Sequence, residues 1–232
     1  MQDSHHSAKE TEERVKCMRS RTKWDENISK HKQGFMEKGF ELFSSKSIEA
    51  VRLEDVAKVS ERSLPTLYRY FGSKPHFLVE IARWKWDEFF TENRKRRPSE
   101  GFDGKTAADM LEFYLDSYLE VYRNHKELLR FNQLFNVYLR SEEIDMDHKA
   151  VYMSLMKPIK VFVHAMYERG KQDGTLRTDI SEAQMLSVTM HLMLAVVTRY
   201  AIGLVHELEE GFNDIQELET LKRMLYREYT IQ

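Results

Sequence analysis

Leu64-Pro65-Thr66-Leu67-Tyr68-Arg69-Tyr70-Phe71-Gly72-Ser73-Lys74 is the stretch on which the fold turns. It reads as one short helix, Leu64–Tyr70, anchored by Leu67 and Phe71. Ser73 then caps a further helix whose first turn holds Pro75, where a missing N–H costs nothing. Upstream, Leu53, Val56 and Ala57 supply the inner face of another short helix, and Glu61-Arg62-Ser63 joins the two. Two short helices linked by a three-residue turn, with a small residue facing inward, describe a helix-turn-helix. Ala57 fits the position of close approach, and Leu67, ten residues on, plugs the second helix into the core. In such a unit the second helix lies in the major groove and presents its N-terminal residues to bases and phosphates.

Working outward, Asp25 is a plausible N-cap for a helix striped by Ile28, Met36, Phe40 and Phe43, with a connection over Ser44–Ala50. Residues 1–24 have almost no apolar period. Arg14, Lys16, Arg19, Arg21 and Lys23 make this segment either a phosphate-tracking arm or a solvated tail. The helix capped by Ser73 runs to about Arg97, where Pro98 and Gly101 stop it. Beyond the break at Pro98–Gly104 every segment has helix period. Met110, Tyr114, Tyr118 and Tyr122 mark one, and Leu128, Phe131, Phe135 and Tyr138 the next. Tyr152, Leu155, Ile159, Phe162 and Met166 mark a third, which Pro158 is expected to kink. Ser181 to about His206 is apolar nearly all round and so buried on more than one side. A last helix, about Asn213–Tyr229, carries Leu218, Leu221 and Leu225. No repeat and no alternating strand interrupts this series, so the fold class is all-α.

Composition agrees. The 232 residues are 41% hydrophobic and 32% charged, enough for a sizeable core, and four Pro with nine Gly speak against a many-stranded fold. A single cysteine, Cys17, excludes an intrachain disulfide and a multi-cysteine zinc site. With no long apolar run and no signal-peptide core, a cytoplasmic, membrane-free protein is expected. Residues 1–98 carry 21 Lys and Arg against 16 Asp and Glu, and the remainder 15 against 22. That split suggests an anionic partner for the first part only. No nucleophile–base arrangement, glycine-rich phosphate loop or metal-ligand spacing among the nine His is recognisable, so neither an enzyme, a cofactor nor a metal is expected.

Residues 28–74 resemble the N-terminal domain of the TetR family of bacterial transcriptional regulators. The resemblance rests on Phe40-Glu41-Leu42-Phe43, Glu54-Asp55-Val56-Ala57-Lys58 and above all Pro65 to Lys74. A weaker echo, Glu168-Arg169-Gly170, Asp173-Gly174, Leu176-Arg177 and Asp179, looks like the family's link between its seventh and eighth helices. The resemblance implies about nine helices. An arm over 1–24 precedes a three-helix DNA-binding domain over 25–73. A larger ligand-binding and dimerisation domain covers 74–232, entered through a connecting helix, 74–97. It assigns Ser63 and Thr66 to phosphates or base edges, Tyr68, Tyr70 and Lys74 to the DNA backbone, and Arg52 and Arg69 to further phosphates, with Leu64 and Pro65 on the same surface. Four positions depart from the family pattern: Glu61 and Arg62 stand where Gly and Val are usual, Arg52 replaces a Ser/Thr cap, and Ser47 replaces a common Gly. Arg62 in place of a core Val is expected to extend outward to solvent.

In this family the second domain encloses a ligand cavity and its last two helices form a dimer interface. Here the resemblance puts Phe89, Phe90, Tyr114, Tyr118, Phe131, Phe135, Tyr138, Met153, Phe162 and Met166 around an apolar or aromatic effector, oriented by Asn132, Gln133 and His164. It puts Met185, Met193, Val197, Leu218, Leu221 and Leu225 at a homodimer interface. The expected partners are therefore double-stranded operator DNA, a second copy and a small apolar molecule. A helical scaffold whose DNA reading has lapsed is the alternative that Glu61 and Arg62 keep open.

Overall fold

Helix boundaries follow local chemistry. The computed structural model describes residues 28–98, 101–141, 150, 153–204 and 213–231. The arm at 1–24, the Asp25 cap and Tyr152 lie outside them. Among the helices that the described residues delimit are, in order, α1 over 28–45, α2 Leu53–Val59, α3 Leu64–Phe71, α4 Lys74–Lys95, α5 Ala107–Asn124, α6 Lys126–Ser141, α7 Lys157–Asp173, α8 Glu182–Ala201 and α9 Asp214–Tyr229. Four starts are capped by side-chain oxygens that accept an otherwise orphaned N–H. Ser73 accepts from His76, Thr106 from Asp109, Ser181 from Gln184 and Asn213 from Gln216. Pro158 does not kink a helix; it lies in the first turn of α7, where its fixed φ helps the helix begin.

Two apolar cores form. In the first, α1 buries Phe35, Gly39 and Phe43 at four-residue steps against α2, α3 and the start of α4. Gly39 is required by close approach. A Cβ there would lie 2.7 Å from the Phe77 ring and 2.9 Å from Ile81 Cδ1, both in α4. The second core surrounds α5, which packs against α6, α7, α8 and α9. Helix α4 belongs to both, giving Phe77, Leu78, Val79, Ile81 and Ala82 to the first and Phe89 to the second. Helix α6 divides in the same way. Phe131, Phe135 and Tyr138 enter the first core, where Phe131 meets Phe40 at 5.5 Å between ring centroids, while Leu128 and Leu129 enter the second.

The Gly170–Asp179 link clamps three helix ends. Asp173 accepts from the Ala107 N–H, and Thr175 Oγ1 from the Ala108 N–H, so two orphan donors of α5 are met from the α7–α8 link. Gly174 ends α7 in the left-handed region, and Gly170 admits Leu176, whose Cβ would stand 2.8 Å from an added methyl. Leu176 and Thr230 form an isolated antiparallel bridge, reinforced by Arg177 N–H to Tyr229 and Ile231 N–H to Thr175 carbonyls. Arg177 also pairs with Asp179 and Glu228. Burial would raise the Asp173 carboxyl, but the Thr175 and Ala107 donors outweigh it and hold it below the ordinary carboxylate value.

Candidate functional site

The turn between α2 and α3 is built on a left-handed residue. Glu61, at φ 53°, is the one non-glycine residue with positive φ among those described. Its N–H bonds the Lys58 carbonyl while the Arg62 N–H reaches Ala57, which is the paired 5→2 and 6→1 closure of a Schellman motif. Most chains place Gly at this position; a Glu here costs about 1 kcal/mol. Arg62 does not extend outward as expected. Its guanidinium lies 5.6 Å from the Phe35 ring centroid and over Gly34, where a Cβ would be 2.4 Å from Nη1. Gly34 leaves the space and Phe35 supplies the π face. Arg62 is thus accommodated by α1.

Helix α3 buries Leu67 and Phe71 and turns Ser63, Pro65, Tyr68 and Arg69 outward. Tyr68 is 45% exposed despite its ring. The Ser63 and Thr66 hydroxyls hydrogen-bond one another at 2.8 Å across the first turn. Tyr70 is half-buried, its ring edge-on to Phe35 and flanked by Arg69 at 5.3 Å and by Lys32 of α1 at 5.7 Å. Lys32 escaped the sequence reading because a helix-face Lys carries no distinguishing spacing. Leu64 is half-buried beside the first core, and Arg52 is exposed at the N-cap of α2, its N–H bound by Asp55. Lys74, expected on a phosphate, is turned inward. Its ammonium donates to the Ile48 carbonyl in the α1–α2 connection and lies within 6 Å of the Phe43 and Tyr138 ring centroids.

A second feature lies at the far end of α4. A cavity of about 320 Å³ opens between the second half of α4 and helices α5 to α8. Of the residues expected to line it, Phe89, Phe90, Tyr114, Tyr118, Met153 and Phe162 do. Four do not. Phe131, Phe135 and Tyr138 belong to the first core, because α6 presents that face to α1 and α4, and Met166 is fully buried in the second. Asn132 lines the cavity and accepts from Trp86 Nε1 at 3.1 Å, whereas Gln133 is exposed and His164 stands outside, paired with Glu182. The sequence reading missed Trp86, Arg94, Arg97, Phe113, Met190 and Leu194. A signal existed for three of these, since Trp86, Phe89, Phe90, Asn93, Arg94 and Arg97 recur at helical steps along α4. The Tyr114 and Tyr118 hydroxyls share a hydrogen bond of 2.7 Å. Burial pushes Tyr114 up to about 12 and Tyr118 well above its usual value, so both stay neutral.

The expected interface residues sit deeper than a subunit contact allows. Met185, Met193, Val197, Leu218 and Leu225 are buried inside the protomer, and Leu221 is half-buried. An all-apolar helix gives no period by which to choose its inner face; the inner face of α8 is the Met185–Thr189–Met193–Val197–Ala201 line. The opposite side leaves Val188, Leu192 and Ala195 exposed, and α9 leaves Met224 exposed. Across these two helices, the Tyr122 hydroxyl donates to Asp214 and the Tyr200 hydroxyl to Glu217, tying α5 and α8 to α9.

The geometry therefore defines a helix-turn-helix protein, with α3 set just ahead of α4 and a larger helical unit enclosing a cavity. Residues 35–81 match the family described as "Bacterial regulatory proteins, tetR family". The match spans the helix-turn-helix and the first turns of α4, so this N-terminal part of the chain is of the tetR type. No curated protein sequence matches it. Solved structures share its fold at low identity. The fatty acid degradation regulator FadR from Bacillus halodurans superposes with a TM-score of 0.65 at 12% identity, covering 84% of this chain and 94% of that one. FadR from Bacillus subtilis in complex with stearoyl-CoA gives 0.62 at 14%, covering 84% and 97%. The ketosteroid transcriptional regulator KstR2 of Mycobacterium tuberculosis gives 0.60 at 14%, covering 87% and 95%. No helix among the described residues is long and apolar enough to cross a membrane.

Proposed function

We propose that this protein is a tetR-family transcriptional repressor that binds a palindromic operator as a homodimer and is released by an apolar or aromatic small molecule. The observation that carries the reading is the outward face of α3. Ser63, Pro65, Tyr68 and Arg69 stand free of the core, and Leu67 and Phe71 fix the helix from behind. Such a face suits a major groove, with Ser63, Thr66 and Tyr68 as donors, Arg69 and Arg52 toward phosphates, and Tyr70 and Leu64 bracing the first turn. Residues 25–73 act as the DNA-reading unit and 74–232 as the effector and dimer unit, with the first turns of α4 shared between them. Two copies join through α8 and α9, using the strip Val188, Leu192 and Ala195 with Leu221 and Met224, so that two α3 helices meet two half-sites. Ligand in the cavity favours a different setting of α4 and hence of α3, and the coupling equals its differential affinity for the two settings.

The test is anisotropy titration of duplex taken from the region upstream of the chain's own coding sequence, over a range of salt. Binding should need a palindrome. Tyr68→Ala should weaken it about tenfold or more, and Arg69→Ala should lower the salt slope by about one. Equal, weak affinity for every duplex by both native protein and variants would refute the reading.

A further inference from the structure

The cavity contains a charge that no acidic group among the described residues answers. Arg97 follows the C-cap of α4, and its guanidinium carbon lies 5.2 Å from the ring centroid of Phe162, 5.6 Å from Phe102 and 6.0 Å from Phe113. Its Nε–H is buried and has no hydrogen-bond partner. Arg94, one turn earlier, lines the same space, and no Asp or Glu is among the described lining residues. The other polar groups there have found each other: Trp86 donates to Asn132, and Tyr114 pairs with Tyr118. Rings over a guanidinium offset part of its desolvation but supply no acceptor for an in-plane N–H. Burial, then Arg94, lowers the Arg97 pKa, which is the signature of a cation short of a counter-charge.

We infer that the ligand of this cavity is an amphipathic carboxylate, its anion bound by Arg97 and its apolar body by Trp86, Phe90, Phe113 and Leu194. The inference rests on the cavity being the effector site, as proposed above, and adds the ligand's charge. Two N–H groups of a guanidinium, with its positive charge, match the two oxygens of a carboxylate. A neutral ligand would leave the guanidinium without a counter-charge, and a cation would be repelled by both arginines. The volume, at the lower end of the range for ligand pockets, suits a medium-length chain or a small ring system.

The experiment is calorimetric titration of the full chain with decanoate, 1-decanol and decanoyl-coenzyme A, with displacement of the neutral dye Nile red as a second readout. Decanoate should bind about tenfold or more tighter than 1-decanol, the ratio expected of one charge-assisted bond. Arg97→Met should erase that advantage while leaving 1-decanol affinity within about twofold; Arg97→Gln makes the same comparison should the Met variant not fold. Equal binding of acid and alcohol, an advantage that survives removal of Arg97, or preference for the thioester would each overturn the carboxylate assignment while leaving the cavity reading intact. Failure of every probe to bind or displace the dye would remove both.

Discussion

Replacing Lys74 by Met separates two roles that a lysine at a helix start can have. As a phosphate contact it would contribute to affinity and salt dependence and little to stability. The inward geometry assigns it the opposite. Its ammonium holds the Ile48 carbonyl of the α1–α2 connection and faces the Phe43 and Tyr138 rings, joining that connection and α6 to the first turn of α4. A hydrogen bond from a charged donor contributes about 1.5–3 kcal/mol, and each cation–π contact about 0.5–1 kcal/mol. Methionine keeps the stem's packing but meets no carbonyl, so Lys74→Met should cost about 2–4 kcal/mol. Urea unfolding, followed by circular dichroism at fixed protein concentration, should show a lower midpoint with an unchanged slope. The salt slope of operator binding, measured where the variant is folded, should match the native protein. Native stability together with a slope reduced by about one would refute this assignment and return Lys74 to a phosphate.

Two further substitutions test the packing. Gly39→Ala drives a methyl into Phe77 and Ile81 and should destabilise the first core by about 1–2 kcal/mol, overpacking exceeding the helix propensity that Ala gains. Gly34→Ala meets only the end of the Arg62 side chain, which can swing aside, so thermal unfolding should find it neutral or stabilised by up to about 1 kcal/mol; an equal loss at both sites would contradict the geometry. Leu192→Asp with Met224→Asp should give folded monomers in sedimentation velocity, whereas Leu218→Asp should unfold the protomer; an intact dimer in the first case would place the interface elsewhere.

Helix α3 was legible because its chemistry is local: Pro65 near its start, Leu67 and Phe71 at four-residue spacing, and Ser73 with Pro75 opening the next helix. The left-handed turn at Glu61 was signalled only by the resemblance, in which Gly is usual at that position. What the sequence concealed depends on which neighbour a helix meets. Phe131, Phe135 and Tyr138 look identical whether they line a cavity or pack on α1, and only the division of α6 between two cores decides it. Helix α8 is apolar nearly all round, so its Met185–Met193–Val197 line and its Val188–Leu192 line are hard to rank until one is buried. An arginine near a helix C-terminus usually signals solvent and the helix dipole. Arg97 differs because Phe102, Phe113 and Phe162 converge on it from separate segments, a juxtaposition no periodicity records.

Helix α4 has 22 residues, roughly 33 Å of rod at 1.5 Å per residue. One end is set two residues after α3 and the other among the cavity's aromatic rings. A rod of that length, pivoting by about 5° at its cavity end, displaces its tip by about 3 Å, which is the span of one hydrogen bond. In a pair of subunits the two displacements add or cancel according to the twofold axis. On the proposed reading, a shift too small to disturb packing around a bound molecule is large enough to carry Tyr68 and Arg69 out of register with a groove.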